Sequence, residues 1–401
     1  MQPAAVPMSF GLLMILAGLT SLSPLGTDIY LSAVPAMSEA FGVPFHEIEL
    51  SVAIFVYGIA AGQLMGGPLS DRYGRRTIIL TGLAVFCVTS IGMLMTTDVE
   101  VLWGLRLLQA LGSGFGSVAG MAVVRDRSSG KEGAINLMRV VQIMLFMPLA
   151  APLIGMVILQ LAGWRAIFVF MVVYAVAMWI LVFKTTPETS PKNVSGSLLG
   201  AYPAVMKDKR IWGYWVSTCG AYAGLFAFIT ASPTVYMGFF ELSPTVYPFA
   251  FGANAVAMFL VGKLNIRALR YYSAGRLSYM GQGVQLVAGT SMLVYLLMTS
   301  EPNFWVVMTL TVIFMGCHAF IVANSTSSTT EFFPQRAGTA TALLSSTGFF
   351  SGAVAGTLVG VLADGTPVPM ISFMLGGCVV AVVVRVGHRF WLRSQTPAEA
   401  A

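Results

Sequence analysis

Apolar residues run along almost the whole chain in stretches of roughly 20, each long enough for a helix to cross roughly 30 Å of hydrocarbon. What interrupts them is short and polar. The pattern predicts helices near 10–36, 48–70, 76–96, 101–124, 134–161 and 164–184. A second set follows near 211–238, 244–266, 274–298, 304–328, 338–362 and 368–390. Between the sets, residues 185–209 break the apolar rule with Pro187, Pro191, Pro203 and several lysines. The chain therefore reads as an all-α integral membrane protein. Its N-terminal six-helix half covers 1–184, a linker 185–209, a C-terminal six-helix half 210–393 and a tail 394–401. The first apolar run lacks a basic leader and continues through Pro24 and Asp28, so it is read as a retained helix, not a cleaved signal.

Composition agrees with this class and excludes others. The chain is 57% hydrophobic and 9% charged, where soluble domains carry about 25% charged residues. Its net charge of +6 would suggest nucleic acid or acidic partners in a soluble protein. Here the position of the charges explains it. With a cytoplasmic N-terminus, Arg72, Arg75, Arg76, Arg125, Arg127, Lys131, the linker lysines, Arg267, Arg270, Arg276, Arg336 and the tail bases all fall inside, and only Arg106 and Arg165 do not. Outer loops carry Glu39, Glu47, Glu49, Asp98, Glu100, Glu241, Glu301 and Asp364. One-sided basic residues set this topology, with both termini and the linker cytoplasmic. Cys87, Cys219, Cys317 and Cys378 all lie in apolar runs, none at metal-ligand spacing. No metal, cofactor, catalytic set or nucleic-acid partner is expected.

The densest polar interruption is Gly66-Gly67-Pro68-Leu69-Ser70-Asp71-Arg72-Tyr73-Gly74-Arg75-Arg76. It reads as a tight cytoplasmic loop in which Gly67, Pro68 and Gly74 end one helix and turn into the next. The pattern Gly67-x-Leu69-x-Asp71-Arg72-x-Gly74-Arg75-Arg76 resembles the loop signature between the second and third helices of the major facilitator superfamily. The resemblance implies a conformational latch, in which Asp71 faces the N-terminus of the eleventh helix and the arginines pair with the acid ending the fourth, Asp126. The alternative is a topogenic loop with no switching role. Gly262-x-Leu264-x-x-Arg267 repeats the pattern in degenerate form. This internal echo suggests two pseudo-symmetric halves of an alternating-access carrier around a midplane site. Glycines recur every fourth residue at 58, 62 and 66, at 112, 116 and 120, and at 348, 352, 356 and 360, as stripes for close helix packing.

Asp28 reads as the one acid inside the predicted spans, and ionisable groups at such depth are expensive and usually functional. It sits roughly 12 Å before the outer end of the first helix, and Arg106 roughly 8 Å into the fourth. At similar depth, desolvation favours the neutral acid and the guanidinium favours the carboxylate, which together make a proton switch. The alternative is a permanent structural ion pair. Gln109 and Gln142 are candidates to orient the site by hydrogen bonds. Tyr30, Phe115, Tyr222 and Phe226, with Tyr57, Phe146 and Phe228, are candidates to wall a substrate cavity. His318 is either a second proton site or an interhelical hydrogen-bond partner, and Asn324 is similarly open.

Several stretches together resemble the Bcr/CflA family, the bicyclomycin-resistance group of drug/proton antiporters. They are Thr27-Asp28-x-Tyr30-Leu31-x-Ala33-x-Pro35, Arg106-x-x-Gln109-x-x-Gly112, Arg125-Asp126, Ala151-Pro152-Leu153-Ile154-Gly155 and Arg336-Ala337-Gly338-Thr339-Ala340. The resemblance implies that Asp28 is the proton-linked acid, Arg106 its partner, and the stretch around Pro148, Pro152 and Gly155 the antiporter bend. That stretch lacks the Gly-Pro core of the general antiporter signature. The implied activity is proton-coupled efflux of small, largely apolar drugs across a bacterial inner membrane by a monomer in contact with membrane lipids. A proton-coupled importer, and from another class a lipid scramblase or membrane enzyme, are the alternatives.

Overall fold

The computed structural model describes residues 8–128, 130–189, 202–333 and 336–395. The middle of the linker, including Pro191 and Lys192, and the last six residues lie outside the described residues. Twelve helices are long and apolar enough to cross a membrane, and no strand occurs among the described residues. The expected all-α membrane architecture is therefore found.

The helices are α1 Phe10–Asp28, α2 Val34–Phe41, α3 Phe45–Tyr73, α4 Arg75–Met95, α5 Val99–Arg127, α6 Gly130–Ala162 and α7 Trp164–Thr185. After the short α8 Tyr202–Met206 come α9 Trp212–Pro233, α10 Tyr247–Ala268, α11 Ala274–Met298, α12 Phe304–Glu331, α13 Ala337–Val361 and α14 Val368–Gln395. Starts are set by side-chain oxygens that accept otherwise unpaired N–H groups: Asp98 from Glu100 at 2.8 Å, and Asn303 from Trp305 at 2.9 Å. Exposed positions on the spans are largely apolar, as Val88 (67% exposed), Leu161 (81%) and Val287 (67%) show, while polar residues such as Gln109, Gln282, Gln285, Ser113 and Thr311 are buried inside. A soluble bundle would show the reverse.

Residue contacts divide the chain into two compact units. One covers 1–198 with 241–252, the other 199–240 with 253–401. In the first, α5 is central and packs on α1, α3 and α4. Gly58 and Gly62 let α3 approach the α5 backbone at Leu107 and Leu111, where a methyl group would collide with a carbonyl. In the second, α9 is central and packs on α12, α13 and α14.

Two local departures from the apolar pattern matter. The first predicted span, 10–36, is not one helix. It breaks after Asp28, passes through a 3₁₀ turn at Leu31–Ala33 and resumes as α2 with Pro35 in its first turn. Hydropathy alone cannot see the break, because every residue in it is apolar or small. The predicted polar loop is also mostly helix. Gly67 and Pro68 lie inside α3, which runs to Tyr73, and the turn is Gly74 alone, at φ 105°, a conformation that disfavours any side chain. Pro68 therefore does not end the helix, and the helix instead carries Asp71 and Arg72 on its last turn.

Candidate functional site

The break in α1 places Asp28 at a helix end deep in the first unit, 2% exposed, with Oδ1 buried and without a hydrogen-bond partner. Arg106 of α5 is fully buried beside it. The two do not form the ion pair considered as the structural alternative. Arg106 donates to the Gly26 carbonyl at 2.9 Å and to Gln109 Oε1 at 2.7 Å. Its guanidinium lies over the rings of Phe55 (4.1 Å) and Tyr30 (4.4 Å). Gln109 in turn donates to Ser90 Oγ at 2.7 Å, which fixes its amide. Tyr30, in the unwound segment, shares a 2.8 Å hydrogen bond with Ser51 Oγ. The arrangement is an arginine held by neutral partners one step away from an unpartnered carboxylate, within its electrostatic reach.

Three of the sequence-predicted groups are elsewhere. Gln142 is exposed on α6 and makes no hydrogen bond among the described residues, so it does not orient Arg106. Phe115 is wedged against Gly66 and Gly82 as helix packing. Asn324 is bound to Asn265 across α12 and α10, donating at 2.8 Å, with both amides buried. It acts as an interhelical clamp.

Sequence reasoning also missed a residue here. Glu49 was placed in an outer loop, but α3 starts at Phe45 behind Pro44, and Glu49 is 1% exposed. Its charge bears on Tyr30. Asp28 is therefore not the only acid within the spans. Glu49 lies in the first turn of the predicted span 48–70, yet its position next to the outer loop groups it with the loop acids Glu39 and Glu47.

The α6 stretch carrying Pro148, Pro152 and Gly155 is one continuous helix, Gly130–Ala162. It packs directly on the α1 break: Ser32 Oγ donates to the Pro152 carbonyl at 3.3 Å, and Gly155 lies against the Ile29 carbonyl. In the second unit, Tyr222 and Phe226 of α9 stack at 6.3 Å over Gly348 and Gly352 of α13. Phe349 lies 5.0 Å and His318 5.3 Å from the Tyr222 ring. His318 Nδ1 is 3.2 Å from the Ala221 carbonyl, the interhelical bond that was one of its two readings.

At the α3–α4 turn, Arg75 is 8% exposed and pairs with Asp71 and, at 3.1 Å, with Asp126 at the end of α5. It also donates to Ser70 Oγ at 2.6 Å. Arg76 donates to the Phe183 carbonyl at 2.5 Å, and Arg72 lies over Tyr73. Glu188, a second residue that sequence reasoning missed, accepts from Arg75 N–H at 2.7 Å and Arg76 N–H at 3.2 Å. A carboxylate so placed caps the start of α4 and complements its dipole. Thr189 extends the lock by donating to Asp126 at 3.0 Å. Glu188→Gln is expected to lower stability by about 1 kcal/mol, since Glu188 is exposed and its charge partly screened. Thermal unfolding of the purified protein checks this, and an unchanged midpoint would remove the capping role.

Residues 16–357 match the Major Facilitator Superfamily. The chain belongs to that superfamily. It is a multi-pass membrane transporter and not an enzyme. It is 29% identical to a bicyclomycin resistance protein homolog of Haemophilus influenzae over 94% of this chain and 95% of that protein. With a chloramphenicol resistance protein of Pseudomonas aeruginosa it shares 33% identity over 70% of this chain and 67% of the relative. Multidrug resistance protein D of Escherichia coli is 25% identical over 94% and 97%. The crystal structure of a D-xylose-proton symporter superposes with a TM-score of 0.73 at 14% identity, covering 94% of this chain and 97% of that one, a likeness of fold.

Proposed function

We propose that the transporter exports small, largely apolar drugs in exchange for protons by alternating access, working as a monomer in the bacterial inner membrane with both termini cytoplasmic. The observation that carries the proton step is the unpartnered Asp28 carboxylate beside an Arg106 engaged by neutral groups. Protonated, Asp28 is neutral and tolerated in its dry setting. When the proton leaves, the new charge draws the guanidinium away from the Gly26 carbonyl, because an ion pair at low dielectric outweighs a bond to a neutral acceptor. Gly26 and Asp28 both lie in the last turn of α1, so this exchange pulls on the break itself. The relatives named for bicyclomycin, chloramphenicol and multidrug resistance support the substrate class and the outward direction.

In the same reading Tyr222, Phe226 and His318 offer an aromatic surface to the substrate, the basic residues near each α-helix pair set the topology, and Asp71, Arg75 and Asp126 latch and release during the cycle. Vesicles reconstituted with the protein test the coupling. An antiporter accumulates chloramphenicol or bicyclomycin when the lumen is acidic. Accumulation driven only by acid outside would identify a symporter and overturn the export reading.

A further inference from the structure

At the end of the second unit where α9 and α11 begin and α14 ends lies a cavity of about 600 Å³, lined by Arg210, Tyr214, Arg276, Tyr279, Arg385, His388 and Arg389 among others. Arg385 falls within the predicted last span, 368–390, and the sequence pattern gives it no role. The structure buries it, at 4% exposed, well inside α14. Arg385 donates to Ser278 Oγ at 2.6 Å, to the Gly275 carbonyl at 2.9 Å and to Gln282 Oε1 at 3.1 Å, and its guanidinium lies 3.9 Å over the Tyr279 ring. These partners satisfy its hydrogen bonds but carry no charge. Of the other cations, Arg210 is held by Asp208 at 2.6 Å, whereas Arg276, Arg385 and Arg389 have no carboxylate partner among the described residues. His388 adds a buried Nε2 with no partner.

Cations gathered in a partly buried pocket repel one another unless an anion completes the set. Arginine forks, tyrosine hydroxyls and an imidazole match a phosphate, which offers several acceptor oxygens at once, better than a single carboxylate. The volume is that of a ligand site. Basic pockets between membrane helices on the cytoplasmic side suit anionic lipid headgroups. We propose that this pocket binds the phosphate group of an anionic ligand, either the headgroup of an anionic phospholipid or a free phosphate compound. The inference goes beyond the export reading and does not depend on it, because binding is read whether or not the chain moves drugs.

The test compares the purified full chain with two double variants, R276Q/R389Q in the pocket and R267Q/R270Q at the same end of the bundle but outside it. Both remove equal charge from exposed positions. Lipid retention by native mass spectrometry and thermal unfolding are read with cardiolipin, phosphatidylglycerol, phosphatidylcholine and inorganic phosphate as probes. The wild type is expected to retain cardiolipin or phosphatidylglycerol over phosphatidylcholine, with R276Q/R389Q weakened roughly tenfold or more and R267Q/R270Q unchanged. Stabilisation by inorganic phosphate alone, lost in R276Q/R389Q, supports the same site with a soluble ligand. No preference for any phosphate anion, or equal loss in both variants, overturns the proposal.

Discussion

Asp28→Asn is expected to abolish drug accumulation driven by an acidic lumen while the protein still folds and reaches the membrane. The asparagine is close in shape and permanently neutral, so it fixes the state in which Arg106 stays on Gly26 and Gln109. Stability should hold or rise slightly, because the variant removes an unpartnered buried carboxylate and leaves no ion pair broken. That sign separates the proton role from a structural one, since deletion of one member of a buried pair costs about 3–5 kcal/mol. Exchange of drug without a gradient should survive, because it does not require the acid to shed its proton. Reconstituted vesicles measure both activities, and thermal unfolding measures the third quantity. Uphill accumulation at the wild-type rate would remove Asp28 from the coupling step. Glu49→Gln would then be the variant to make, since Glu49 is the other buried carboxylate among the described residues and its charge bears on Tyr30.

The class of fold was legible because membrane helices are written in long apolar runs and basic residues mark one side. Asp28 and Arg106 were legible for the same reason, as charges where charge is costly. What the pattern could not carry was anything decided by a side chain's direction. Glu49 and Arg385 lie within the predicted spans 48–70 and 368–390, but hydropathy does not say which way a side chain on a helix faces, so their burial leaves no mark in the pattern. Depth alone left open a permanent ion pair between Asp28 and Arg106 as the alternative to a proton switch. That alternative failed because depth says nothing of azimuth, and Arg106 finds the Gly26 carbonyl and two aromatic faces first. Glu188 was hidden for another reason: its partners are the backbone N–H groups of Arg75 and Arg76, which leave no mark in the sequence.

Gly155→Val is expected to destroy transport outright, and Gly155→Ala to impair it severely. A Cβ on residue 155 would occupy the place of the Ile29 carbonyl, which is backbone and cannot rotate aside as a side chain does. Ile29 is the first residue beyond Asp28, so relief must come from moving α6 off α1 or from rebuilding the break. Either shift carries Tyr30 away from Arg106 and loosens the contact of Ser32 with Pro152. Overpacking of this kind costs about 1–3 kcal/mol even where side chains can adapt, so a backbone collision belongs at the upper end. Gly116→Ala provides the contrast. Gly116 belongs to a glycine stripe on α5 that looks as constrained in sequence, yet its Cβ would meet only Leu22 Cδ1 at an ordinary 3.9 Å. Folded yield, thermal midpoint and vesicle transport are therefore expected to be near wild type for Gly116→Ala and depressed for both Gly155 variants. Equal behaviour of Gly116→Ala and Gly155→Ala would mean that α6 yields freely at this point, and that the α1 break does not depend on the close approach of Gly155.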